Sequence, residues 1–295
     1  FMIFLLLLVG FFQSWSVMLS IFNLCIISAI MALGVNIQWG YAGLFNVGTM
    51  GFAALGGLSV VIIAASPVEQ AWIAGGHNLL IAGLISLLTF TTCLGAYHFF
   101  KTSKKLIIIL SGIILIGLWL IRHFYDPAIS AIESVNPAVT GYLGGVGLPV
   151  LFSWAFGGVL AAGAAWIIGK ITLGLRSDYL AIATLGISEI IIAILKNEDW
   201  LTRGVKNVTG LSRPVPYEID LQLEPWFINL TKWLNSDTLL GATLDRRQEL
   251  LPQFLAEFSG IFVKLCYSGL FLSVLVVVLL LSNMALNSPW GRMMR

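Results

Sequence analysis

Of the 295 residues, 58% are hydrophobic and 10% charged, and the mean hydropathy is +0.94. An average soluble domain carries roughly 25% charged residues, so too little polar surface is present here to cover a water-soluble globule. The 16 basic and 14 acidic residues leave a net charge of +2, with no basic face for nucleic acid and no acidic tail.

Apolar stretches of about 17 to 25 residues read as membrane spans. About eight are expected, at 1–12, 17–38, 44–65, 78–99, 106–122, 150–169, 179–195 and 261–282. The expected fold is therefore an all-α, polytopic inner-membrane helical bundle, a single transmembrane domain over 1–295. Its first stretch begins Phe1-Met2-Ile3-Phe4 and lacks the basic start and small-residue cleavage site of a signal peptide. It reads as a short spanning segment whose natural beginning lies upstream.

The first interruption with chemical content is Asn36-Ile37-Gln38-Trp39-Gly40-Tyr41-Ala42-Gly43-Leu44-Phe45-Asn46-Val47-Gly48. In hydrocarbon an unpaired backbone group costs several kcal/mol, so a broken helix survives only inside protein or beside a wet cavity. A Gly-interrupted apolar segment thus points to a transport path, with Asn36, Gln38, Gly40, Tyr41, Gly43, Asn46 and Gly48 as candidate path residues. An ordinary turn between two helices fits the same composition.

Further along, residues 78–123 form an apolar hairpin with Lys101, Lys104 and Lys105 at its tip. Small residues recur every four positions at Gly157, Ala161, Ala165 and Gly169, a spacing that lets a second helix approach closely. In Leu175-Arg176-Ser177-Asp178-Tyr179-Leu180-Ala181-Ile182-Ala183-Thr184-Leu185-Gly186-Ile187-Ser188-Glu189-Ile190, the side chains of Ala181, Thr184 and Ser188 fall near one helical face, with Glu189 beside it. Thr184, Ser188 and Glu189 are candidate path residues, since an ionisable residue at mid-membrane is a functional candidate by default, although a structural Glu bonded between helices fits equally. Asp178, close to Arg176, reads as a local ion pair or helix cap. Residues 196–260 carry nine of the 14 acidic residues together with Trp200, Trp226, Phe227 and Trp233, and read as a folded extramembrane loop.

Orientation follows from Lys and Arg in the short loops. Lys101, Lys104, Lys105, Lys170, Arg176, Arg292 and Arg295 fall on one side, which puts the N-terminus in the cytoplasm and 196–260 in the periplasm. The weaker signals carry no chemistry. His77, His98 and His123 have no second ligand at metal spacing, and Cys25, Cys93 and Cys266 lie in apolar runs without disulfide or metal spacing. Gly169-Lys170-Ile171-Thr172 lacks the pattern of a nucleotide loop. No cofactor is expected.

The runs 32–48 and 175–190 resemble the two signature stretches of LivM-type permeases, the membrane subunits of importers for branched-chain amino acids, with relatives for urea, amides and other amino acids. Leu201-Thr202-Arg203-Gly204-Val205-Lys206-Asn207-Val208-Thr209-Gly210-Leu211 is similar to the family's Gly/Asn-rich Thr-x-Gly segment, and Ser288-Pro289-Trp290-Gly291-Arg292 to its Ser-x-x-Gly-Arg run. Ser177 and Ser188 stand where the family usually has glycine, and the 78–123 hairpin is extra. The resemblance implies a permease subunit that pairs with a second, related permease, two cytoplasmic ATP-binding subunits and a periplasmic substrate-binding protein received at 196–260. It implies that Ser288, Pro289, Gly291 and Arg292 begin the surface that couples to the ATPases, that the natural chain continues past Arg295, and that the chain itself is not an enzyme. The competing readings are an ion- or proton-coupled secondary carrier with Glu189 as coupling group, and a structural membrane subunit.

Overall fold

A computed structural model describes residues 2–100, 106–136, 140–236, 244–289 and 291. In chain order the helices are α1 (Met2–Phe12), α2 (Trp15–Asn36) continued by a π-turn at Ile37–Tyr41, and α3 (Thr49–Ala64). Next come α4 (Glu69–Ala71) with a second π-turn at Trp72–Gly76, α5 (His77–Phe100), α6 (Leu106–Ser134), α7 (Val150–Thr172) and α8 (Ser177–Asn197). The last four are α9 (Asp199–Thr202), α10 (Glu218–Leu223), α11 (Pro225–Leu234) and α12 (Leu244–Asn287). No strand occurs among the described residues. A helix pairs its backbone within its own segment, which is what an apolar solvent demands.

Six helical stretches among the described residues, rather than eight, are long and apolar enough to cross a bilayer. The segments expected at 1–12 and 44–65 are shorter helices, α1 of 11 and α3 of 16 residues. At 1.5 Å per residue they reach about 16 and 24 Å, against a hydrocarbon core of about 30 Å. The polar and Gly-containing residues 42–48 do not join the helix, which removes the first turn of the second segment. Elsewhere helix outruns apolarity: α6 continues past Arg122 to Ser134, and α12 starts at Leu244 instead of near 261. Leu, Glu, Gln, Arg and Ala are good helix formers whether or not they suit lipid.

The chain divides into two compact units. One comprises residues 1–46, 176–181 and 213–295. In it, Ser14 caps α2 by accepting a hydrogen bond from the Ser16 amide at 3.2 Å. Asn23 on α2 donates through Nδ2 to the Lys264 carbonyl at 3.1 Å and accepts through Oδ1 from Ser268 at 2.7 Å. The Lys264 ammonium donates to the Ser16 carbonyl at 3.1 Å and hydroxyl at 2.6 Å. These pairings rise together in both sequences, so α2 and α12 run parallel. Val215, Leu221, Phe227 and Val263 form the adjoining core, with Phe262 packed against it.

The second unit comprises residues 47–175 and 182–212. Here α5 and α6 form the long hairpin, pressed together where a Cβ on Gly117 would collide with Thr89 Cγ2. Helix α3 crosses α7 at small residues. The Ser59 hydroxyl donates to the Ser153 carbonyl at 2.9 Å, and a Cβ on Gly157 would lie 2.6 Å from Ser59 Oγ. Beyond α6 the chain returns over the end of α3. Tyr125 and Trp200 both donate to Glu198 Oε2, at 2.9 and 2.6 Å, and pin the segment after α8 to α6.

The α3–α7 crossing has a direct test. Gly157→Leu should lower thermal stability in detergent by about 1–3 kcal/mol through overpacking, while Ala165→Leu, at an exposed position of the same small-residue row, should leave it unchanged. Equal melting temperatures for both variants would mean that this crossing does not hold the unit together.

Candidate functional site: the broken helix at 36–51 and the polar face of α8

Helix α2 does not simply end at Asn36. It widens into the π-turn 37–41, where the Ala42 amide donates to the Ile37 carbonyl at 3.2 Å and the Leu44 amide to the Gln38 carbonyl at 2.9 Å. A Cβ at Gly40 would lie 2.5 Å from Asn36 Oδ1, so glycine leaves room for the Asn36 side chain over the turn. Gly43 takes φ +62, the left-handed region that costs other residues roughly 1–2 kcal/mol. Trp39 then closes the loop by donating from Nε1 to the Asn46 carbonyl at 2.9 Å, with its ring 4.6 Å from that of Phe45. The Gln38 Oε1 atom is buried and accepts no hydrogen bond among the described residues. Tyr41, Trp39 and Phe45 remain partly exposed.

Across the next residues the second unit takes over. Gly48 precedes α3, whose first amide groups have no partners within the helix. Thr184 and Ser188 of α8 supply acceptors: the Val47 amide donates to Thr184 Oγ1 at 3.2 Å, and the Gly51 amide to Ser188 Oγ at 2.7 Å. Both hydroxyl residues are buried. A Cβ at Gly51 would stand 3.0 Å from the Ser188 Cα, so the helices meet backbone to backbone. The polar row on α8 therefore holds the start of α3. Glu189, one residue further, is exposed among Ile182, Leu185 and Ile190 and has no bonded partner among the described residues.

The other candidate residues fall elsewhere. Gly157 is buried at the α3–α7 crossing, Ala161 and Gly169 are half-buried, and Ala165 is exposed, because the short α3 covers only part of the longer α7. Arg176 and Asp178 form no ion pair; Asp178 occupies the first turn of α8, where a negative charge suits the helix dipole. At the end of α12, the Ser288 hydroxyl donates to the Ala285 carbonyl at 2.6 Å and accepts from the Gly291 amide at 3.3 Å. A Cβ at Gly291 would crowd the Leu286 carbonyl oxygen. Pro289 lies between them, and Arg292 falls outside the described residues, as do Lys101, Lys104 and Lys105. In the Thr-x-Gly segment, Arg203 and Gly204 adopt φ 61 and 56, and the Arg203 guanidinium donates to the Asn207 carbonyl at 2.6 Å. No group of three or more metal-binding side chains occurs among the described residues.

Two features escaped the motif reading. The first is Gly144-Gly145-Val146-Gly147, which closes the far end of α3. Amides of Val146, Leu148 and Gly147 donate to the carbonyls of Ile62, Ile63 and Ala65 at 2.9, 2.9 and 3.0 Å. Gly144 and Gly147 both have φ +75. The signal was present as three glycines before an apolar span, the same pattern that marks 36–48. The second is Lys264, an ammonium inside the apolar run 261–282, legible as a lone charge in a span.

Two curated proteins share sequence with this chain. One is the high-affinity branched-chain amino acid transport system permease protein LivM of Escherichia coli K12, 28% identical over 138 residues, which are 47% of this chain and 29% of that protein. The other is the protein of the same name from Salmonella typhimurium, 31% identical over 111 residues, 38% of this chain and 24% of that one. The chain thus spans less than a third of the length of either relative. No family model and no solved structure matches. The chain is a multi-pass, all-α membrane protein that resembles LivM permeases over part of its length.

The α3–α8 contact makes a graded prediction. Ser188→Ala leaves the Gly51 amide only its 3.2 Å bond to the Gly48 carbonyl and should cost about 0.5–1.5 kcal/mol, visible as faster amide hydrogen exchange at 49–53 in lipid nanodiscs. Gly51→Val collides with the α8 backbone and should be far worse. Unchanged exchange in Ser188→Ala would show that the hydroxyl is not what holds α3.

Proposed function

We propose that the chain is a permease subunit of an ATP-driven importer for branched-chain or related small amino acids, supplying part of the translocation path. The observation that carries the reading is the break in the helix after Asn36, with its buried, unbonded Gln38 acceptor. It supports a path because irregular backbone in a membrane belongs beside a cavity or inside protein. The similarity to the two LivM proteins supports the substrate class. On this reading hydrolysis takes place in two separate ATP-binding subunits, a second permease completes the path, and a substrate-binding protein docks on the 196–260 side. Ser288, Pro289, Gly291 and Arg292 begin the coupling surface. The location is a bacterial inner membrane with the N-terminus in the cytoplasm, which the Lys/Arg asymmetry supports.

Glu189 favours a second reading. An exposed carboxylate on a span is costly in lipid and would suit the coupling group of an ion- or proton-driven carrier. Uptake into vesicles supplied with ATP, with the proton gradient collapsed, separates the two. An importer driven by ATP keeps its uptake, and its Glu189→Gln variant keeps it too. A proton-coupled carrier loses uptake with the uncoupler and with Glu189→Gln alike. Within the importer reading, Gln38→Leu should reduce uptake several-fold without lowering the amount of protein in the membrane.

Orientation is checked by cysteine labelling of intact cells with a membrane-impermeant reagent. Position 236 should be tagged and position 103 protected; the opposite pattern would invert the topology.

A further inference from the structure

Helix α11 has three sides. Phe227 and Thr231 are buried against the core of the unit, and Asn229 and Lys232 make a polar edge. The third side presents Trp226, Leu230 and Trp233, spaced at i, i+4 and i+7, and two of them are large aromatics 50% and 72% exposed. On α10, Ile219 and Leu223 are likewise exposed at 72% and 75%. A soluble loop has no reason to hold two indoles in water when its own core is already filled.

The level of this face is set by what it packs on. Trp226 and Phe227 contact Phe262 with ring centroids 5.9 and 5.7 Å apart, and Gln222 donates to Ser259 at 3.0 Å. Phe262 lies at the start of the apolar run of α12. Two residues on, the Lys264 ammonium reaches back toward the start of its own helix to meet Ser16 in the first turn of α2. That is how a lysine near a membrane edge carries its charge toward water. Beside Ser16, Trp15 meets Phe11 edge-on at 5.2 Å, and Phe11, Phe12 and Trp15 are exposed. Meanwhile α12 has 44 residues, about 66 Å, twice the hydrocarbon thickness, so its first turns with Arg246, Arg247 and Glu249 stand clear of the bilayer. The level of Lys264, Trp15 and Trp226 is accordingly the boundary between hydrocarbon and headgroups, where Trp is enriched.

We propose that α10 and α11 lie on the bilayer as an interfacial collar, with Trp226, Leu230 and Trp233 seated in the headgroup–acyl boundary and Lys232 toward the headgroup phosphates. An amphipathic helix of this kind buries its apolar face by about 5–10 Å. The collar fixes the depth of α12 in the membrane and reserves for soluble partners only the side of the loop turned away from the lipid. The proposal depends on the chain being a membrane protein and not on the importer reading.

The test places a nitroxide on single cysteines in the full chain with Cys25, Cys93 and Cys266 replaced, reconstituted in nanodiscs of phosphatidylethanolamine and phosphatidylglycerol. Labels at Leu230→Cys and Trp233→Cys should collide with oxygen several-fold more than with an aqueous nickel chelate, and labels at Asn229→Cys and Lys232→Cys should show the reverse. As a label-free measure, Trp233→Ser should reduce the fraction of protein fluorescence quenched by brominated lipid. Labels at 230 and 233 as open to nickel as those at 229 and 232 would overturn the proposal by placing the face in water. Labels shielded from both reagents would overturn it by placing the face against protein, a second copy included. Each variant is first checked for the elution volume of the parent protein, and a failure at one exposed position leaves the other to decide.

Discussion

The architecture depends on a single constraint: in an apolar solvent every backbone N–H and C=O must find a partner inside the protein. A helix leaves four orphan amides at its start and four orphan carbonyls at its end. Long spans deliver those ends to water or headgroups, but α3, with 16 residues, is too short to do so at both ends. Its two ends are met by neighbouring segments of the same unit. The α8 hydroxyls of Thr184 and Ser188 receive amides at the start, and the amides of 146–148 reach carbonyls at the finish. Glycines follow from this requirement. Gly51 lets α8 come close enough to bond, and Gly144 and Gly147 give the returning loop the left-handed turns it needs.

The same bookkeeping gives the polar residues of the spans different roles. Thr184 and Ser188 are occupied in holding the start of α3, so any movement of α8 along α3 must exchange one buried and one part-buried hydrogen bond. Gln38 is the opposite case, a buried acceptor with nothing to accept from. In an interior of low dielectric such an atom costs about 1–3 kcal/mol, an expense that a ligand or water donor in a path would remove. Ser59 and Ser153 do neither. They bond locally across α3 and α7, and the small residues around them admit the close crossing.

Charge shows a similar division. Lys264 is compensated by the carbonyl and hydroxyl of Ser16 in the first turn of α2. Glu198 is shared by Tyr125 and Trp200. Glu189 alone among these faces outward on an apolar helix surface without a bond. Desolvating a lone carboxylate is costly enough that its surroundings in the membrane must be polar or protein.

The all-α membrane class was legible from the long continuous apolar runs, since the strands of a spanning barrel alternate apolar and polar residues instead. The positions of the main spans were legible from apolar runs, and the break at 36–48 from its Asn, Gln and Gly. Helix ends were less legible. Apolarity marks where lipid begins, whereas helix continues wherever propensity allows, as in α6 past Arg122 and in α12 before 261. The row Ala181, Thr184 and Ser188 could be placed on one helical face, but a periodicity says nothing of what lies opposite. Only the tertiary structure decided that Thr184 and Ser188 meet the Val47 and Gly51 amides at the start of α3, that Glu189 points away from them, and that Lys264 reaches Ser16 some 250 residues earlier in the chain. These are pairings between segments distant in sequence. Their partners are chosen by which unpaired groups packing brings within about 3 Å, a quantity that no local pattern of residues contains.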